Sequence, residues 1–157
     1  MFTVYSLERS EQWDLIVRSF SDYDVFYLSG YSKAFMQEAP KNGIPILLYY
    51  ENGKDRAVNV VLRRDVALDE KLSGKVQTGQ YFDLITPYGY GGFWGDISDW
   101  EELNQAYTQY CIDSGYVCEF VRFELFTDYH EHYSGEVETR THNVVRGLEI
   151  SLDEIWM

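Results

Sequence analysis

The chain has 157 residues, 45% hydrophobic and 17% aromatic with 14 tyrosines, and a formal net charge of −13. That length fits one domain burying roughly 68–70% of its unfolded surface, and the composition excludes a disordered chain. Residues 1–75 hold 11 acids against 10 bases and residues 76–157 hold 15 against 3, with no Lys or Arg between Val76 and Val121, so direct nucleic-acid binding is not expected.

Residues 2–5 alternate as a short strand. Ser10 reads as the N-cap of a helix over 11–20, with Trp13, Ile16, Val17 and Phe20 on one face and Glu11 and Asp14 near its positive start. The run 24–28 is extended or leads into a second helix over 31–39, which Pro40 ends. Residues 45–50 are apolar on both faces, as in an interior strand; Asn52-Gly53 signals a hairpin, and 56–63 is the partner strand. Residues 65–80 lack periodicity and form a loop leading to a strand at 81–85.

That strand opens into a stretch of glycines alternating with aromatics, Thr86-Pro87-Tyr88-Gly89-Tyr90-Gly91-Gly92-Phe93-Trp94-Gly95. Pro87 biases Thr86 to an extended conformation, and the glycines permit positive φ and close backbone approach. Two readings stand side by side: a ligand-facing loop, or a tight crossover with its aromatics packed beneath it. Ser98-Asp99-Trp100-Glu101 then reads as a capping box. Trp100, Leu103, Tyr107, Tyr110 and Cys111 follow at helical spacing until Gly115. Next comes a strand over 117–126, with Val117, Val121, Phe123 and Leu125 on one face; Glu119 is the exception on that apolar side. A polar loop at 128–136 and a last strand at 141–150 complete the pattern. Ser151 and Glu154 form a second capping box, yet the sequence stops at Met157, too soon for a stable helix. The expectation is a piece of a longer protein or a terminus completed by a partner.

Cys111 and Cys118 make no disulfide framework, and a reducing cytoplasm is the simplest compartment. No run of 18 apolar residues exists, so no membrane partner is expected. His130 and His132 with Asp128, Glu131 and His142 are the only metal-like group; without Cys partners no metal site is assigned. No GxSxG is present, and Asp83 receives no catalytic role. Tyr88 and Tyr90 either donate to a developing oxyanion or pack. Arg122 is either held by a neighbouring carboxylate, Glu119 or Glu124, or receives a substrate carboxylate or phosphate. Both readings expect a short contact between Arg and an acidic group.

The fold class expected is α/β (α+β), a mixed central sheet with helices packed on its faces. Four segments, 24–27 with Tyr31, 45–50, 83–92 and 119–123, resemble in order and approximate spacing the N-terminal lobe of the FemAB-like branch of the GNAT superfamily of N-acyltransferases. The resemblance implies a single GNAT-like lobe over 1–157, incomplete at its C-terminus, from a longer two-lobe protein. It implies transfer of an acyl group from acyl-CoA or aminoacyl-tRNA to a small-molecule or peptide amine. Thr86, Tyr88, Gly89, Tyr90, Gly91, Gly92 and Arg122 are the substrate-binding candidates, and no catalytic base is identified. A second lobe or a homodimer partner is implied. Acetyl-CoA or another acyl-CoA serves the family, but the [Gln/Arg]-x-x-Gly-x-[Gly/Ala] pyrophosphate motif is absent here. The other class of function is a non-catalytic binding or assembly module.

Overall fold

The computed structural model describes residues 1–35, 43–140, 142, 145, 147 and 149–155. Its centre is a six-stranded mixed sheet in which β1 (Phe2–Ser6), β2 (Ile44–Asn52), β3 (Asp55–Asp65), β4 (Phe82–Ile85) and β6 (Tyr116–Phe120) stand in that order. The remaining strand, β5 (Trp94–Asp96), pairs with Arg56, Ala57 and Val58 at one end of β3, while β4 pairs with Leu62 to Asp65 at the other. Neighbours are antiparallel as far as β4, and β4 and β6 are parallel. Parallel neighbours need a long crossover, and α3 (Trp100–Asp113) supplies it.

The predicted hairpin forms, with Asn52 facing Asp55 as the last pair of the ladder. Because β2 is apolar on both sides, alternation sends Leu47 to one face and Ile46, Leu48 and Tyr50 to the other, and each face acquires its own core. On the first face, α1 (Ser10–Arg18) lays Trp13 and Val17 against Leu47, Val58 and Val60. The Trp13 indole N–H donates to the Tyr27 carbonyl at 2.7 Å, so the largest buried ring carries no unpaired donor. Ser10 is not the cap: a 3-10 turn at Leu7–Arg9 runs directly into α1 and places Ser10 inside the helix. The run after Asp24 resolves as a 3-10 turn, Val25–Tyr27, capped by the Asp24 carboxylate. It leads into α2 (Ser29–Phe35), which begins two residues earlier than predicted because Asp14 on α1 accepts from the Ser29 N–H at 2.8 Å. The rest of the predicted second helix, with Pro40, lies outside the described residues.

On the opposite face α3 buries Leu103 and Tyr107 against Ile46, Leu48, Val61 and Leu84. Its cap is Asp99, one residue after the Ser98 expected from sequence; the Asp99 carboxylate accepts from the Glu102 N–H at 2.9 Å. Ser98 is diverted to Asp55, whose carboxylate accepts from the Ser98 hydroxyl at 2.7 Å and the Asp99 N–H at 3.0 Å. These donors hold the Asp55 carboxyl below its ordinary range, the Ser98 hydroxyl contributing most. The predicted polar loop at 128–136 contains a short helix, α4 (Tyr129–His132), whose Tyr129 is buried in this core.

β6 is shorter than predicted, and its alternation slips by one residue at its start. Phe82 pairs with Tyr116 but Asp83 with Cys118, so Val117 is an extra residue that shifts the alternation. Tyr116 and Glu119 turn inward and Val117 is exposed. Of the predicted strand at 141–150, residues 142, 145, 147, 149 and 150 are not in a strand, and 141, 143, 144, 146 and 148 lie outside the described residues. Alternation makes a strand only where a neighbour pairs with it. The second capping box is in place: the Ser151 N–H and hydroxyl donate to the Glu154 carboxylate at 3.0 and 2.6 Å, at the start of α5 (Leu152–Ile155). Cys111 and Cys118 are free, and no helix among the described residues is long and apolar enough to cross a membrane.

Candidate functional site

The glycine stretch crosses from β4 to β5 and is stitched to the segment that follows β6. The Thr86 N–H donates to the Phe120 carbonyl at 3.0 Å, and the Arg122 N–H donates to the Thr86 hydroxyl at 2.8 Å. The Gly91 N–H donates to the Arg122 carbonyl at 2.8 Å, and the Glu124 N–H returns a bond to the Gly91 carbonyl at 3.0 Å. The Arg122 guanidinium reaches the Gly89 carbonyl at 3.4 Å. Thr86, Gly89, Gly91 and Arg122 therefore meet in space, although 31 to 36 positions separate the arginine from them in sequence.

Two glycines in this loop explain its composition. Gly89 has φ 103°, and a Cβ there would lie 2.4 Å from the Phe26 ring; Gly92 has φ 107°, and a Cβ there would lie 2.6 Å from the Tyr129 ring. The loop is thus clamped from both faces of the sheet, by Phe26 on one and Tyr129 on the other. The Tyr27 hydroxyl donates to the Gly92 carbonyl at 3.0 Å, and the Tyr31 hydroxyl to the Tyr88 carbonyl at 2.9 Å. Tyr90 is half-buried and meets Phe26 edge-on, whereas Tyr88 is 71% exposed. Two concavities lie elsewhere: one along α3, lined by Trp100, Asn104, Thr108 and His132, and one between Trp94, Trp100 and Phe126. Neither includes any of residues 86–92.

Arg122 departs from the first of its two sequence expectations, since no neighbouring carboxylate among the described residues holds it. It is exposed and forms no ion pair among the described residues. The two glutamates expected to hold it are turned away. Glu119 lies on the inward side of its strand, in parity with Phe123, and its carboxylate accepts from the Tyr107 hydroxyl at 2.8 Å and the Tyr133 hydroxyl at 3.3 Å. Glu124 is buried and accepts from the Phe126 N–H at 2.6 Å. Asp83 pairs instead with Arg64, bidentately, across β3 and β4.

Glu119 is the one acid on the apolar side of its strand, and it is enclosed there. Burial raises its carboxyl pKa above the ordinary value, opposed by hydrogen bonds from Tyr107 and Tyr133 and by the nearby Asn59 amide. The same setting raises both tyrosines, and burial with the Glu119 charge pushes Cys111 up to about 12. The signal in the sequence was the single acid on an otherwise apolar parity. It marked an enclosed partner for tyrosines and not a ligand for Arg122.

A helix start is the usual place to hold a pyrophosphate, but the start of α3 is already filled. The Asp99 carboxylate takes a first-turn N–H, and Glu101 and Glu102 add two further negative charges. The chain matches no protein-family model, no curated protein and no solved structure. Chemistry at this loop is therefore judged from its own side chains. They provide one guanidinium, the Thr86 hydroxyl and an exposed tyrosine. His132 stacks on Trp100 with centroids 4.8 Å apart, and among the described residues no group of three His, Cys, Asp or Glu side chains is arranged to hold a metal ion.

Proposed function

We propose that this chain is a GNAT-like lobe of a FemAB-type N-acyltransferase, acting on the acceptor side, with the acyl donor held elsewhere. The observation that carries the reading is the junction of the glycine loop with Arg122, which gathers four of the seven substrate-contact candidates onto hydrogen-bonded backbone. The sheet order is also compatible with it, since four antiparallel strands lead through α3 to a strand parallel with the fourth. The acidic, self-capped start of α3 favours the acceptor side over the donor side. The lobe's contribution to catalysis is positioning of an amine against an acyl carbonyl.

The test is a melting-temperature series with amine-bearing peptides and amino acids, and separately with acetyl-CoA. Ligands that bind only the folded state raise the midpoint. Stabilisation by an amine acceptor and none by acetyl-CoA is expected. Stabilisation by acetyl-CoA alone would move the donor site into this lobe, and silence from both sets would abandon the reading.

A second reading, a non-catalytic assembly module, draws on a different observation. Val117, Phe120, Leu125 and Phe126 are all exposed along the strand that ends the sheet and the segment after it. Exposed apolar side chains on an edge strand favour contact with another chain. Sedimentation equilibrium decides it: association weakened by Phe120→Ser favours the module, and a monomer at all concentrations removes self-assembly.

A further inference from the structure

Within residues 76–139 Arg122 is the only Lys or Arg. It is exposed, yet its main chain is fixed on both sides, with its N–H on the Thr86 hydroxyl and its carbonyl on the Gly91 N–H, each at 2.8 Å. Its side chain is held at one corner only, where Nη1 donates to the Gly89 carbonyl at 3.4 Å. Nε and Nη2 have no partner among the described residues. Those two N–H groups are a parallel pair of donors matching the two oxygens of a carboxylate. Phe120, two residues before Arg122, is 61% exposed, and Tyr88, beside Gly89, also offers a ring to solvent. The cation is therefore carried on a fixed main chain, with exposed aromatic residues near it in the chain and in the loop it bonds.

We propose that Arg122 anchors a binding site for a singly charged carboxylate carried on an apolar or aromatic body. Charge selects the class. Residues 76–157 carry 15 acids against 3 bases, and repulsion from that field grows with the charge of the ligand. A monocarboxylate meets less of it than a phosphate dianion or a polyphosphate. The site does not depend on acyl transfer, because a catalytic lobe and an assembly module could both present it.

The experiment is an NMR titration of the whole chain, following the Arg122 Nε–H and the Gly89 and Gly91 amides. The probes are hippurate, its neutral amide hippuramide, and inorganic phosphate. Saturable shifts are expected with hippurate, with affinity weaker by about tenfold or more for hippuramide and for hippurate on Arg122→Ala. Arg140→Ala, which removes an exposed cation paired with Glu138, leaves hippurate binding unchanged. The proposal is overturned by unsaturable shifts, by equal binding of hippurate and hippuramide, by undiminished binding to Arg122→Ala, or by tighter binding of phosphate than of hippurate. The comparison of hippurate with hippuramide on the unaltered chain needs no variant, so misfolding cannot rescue the idea. It also contains no amine acceptor and no acyl donor, so its failure is distinct from failure of the acyltransferase reading.

Discussion

The two faces of the sheet are built on different principles. The face under α1 is sealed by aliphatic and aromatic groups, with Trp13, Val17, Leu47, Val58 and Val60 all buried and the one indole N–H satisfied. The face under α3 encloses a carboxyl group among tyrosines, Glu119 with Tyr107 and Tyr133, and the buried Tyr129 hydroxyl has no hydrogen-bond partner among the described residues. The first face gains stability from packing and from neutral hydrogen bonds, whereas the second also responds to protons, because an enclosed carboxyl resists ionisation. The glycine loop passes between the two and is clamped by one aromatic ring from each.

The largest expected effect breaks the dry face. Trp13→Ala should cost about 3–5 kcal/mol in urea unfolding, through lost contacts and the cavity left behind. Next is the clamp on the other face: Gly92→Ala combines an unfavourable positive φ with a collision against Tyr129, and a loss of about 2 kcal/mol is expected in the same measurement. If Gly92→Ala proves neutral, Tyr129 does not hold the loop and the contrast between the faces weakens.

Glu119→Gln sharpens the comparison through pH. The folded-state pKa of Glu119 is raised above the 4.5 of an ordinary glutamate, so its contribution is fully present below about that pH and is lost as pH rises through the folded value. Unfolding free energy of the parent chain should therefore fall with rising pH relative to Glu119→Gln, across a window that opens near pH 4.5. Parallel pH profiles for the two proteins would show that Glu119 is not enclosed as an acid. The smallest effect is a gain. Gly30 lies in α2, and a Cβ added there would meet nothing within 4 Å, so Gly30→Ala should stabilise by about 0.5 kcal/mol, read as a higher urea midpoint.

Much of the fold was legible in the sequence because it follows from local periodicity. The apolar run at 45–50, the Asn52-Gly53 turn and the helical spacing of Leu103 and Tyr107 each announce one element and its buried face. The caps were legible only to within a residue. Ser98 and Asp99 both suit the start of α3, and the choice fell to Asp55, a residue more than forty positions away that engages Ser98. The candidate site was legible as a composition and not as a geometry. Glycines at 89 and 92 announced close approach, but what approaches is Phe26 and Tyr129.

The sequence by itself determined the alternation of strands and helices, the two-sided apolar character of β2 and the acidic second half, since each is a property of neighbouring residues. Only the tertiary structure decided which tyrosines enclose Glu119, that Nε and Nη2 of Arg122 have no partner among the described residues and that the glycine loop is clamped from both sides. The physical reason is that each of these contacts joins residues distant in the sequence, and local pattern reveals neither which distant side chain arrives nor where a strand bulges, as β6 does at Val117.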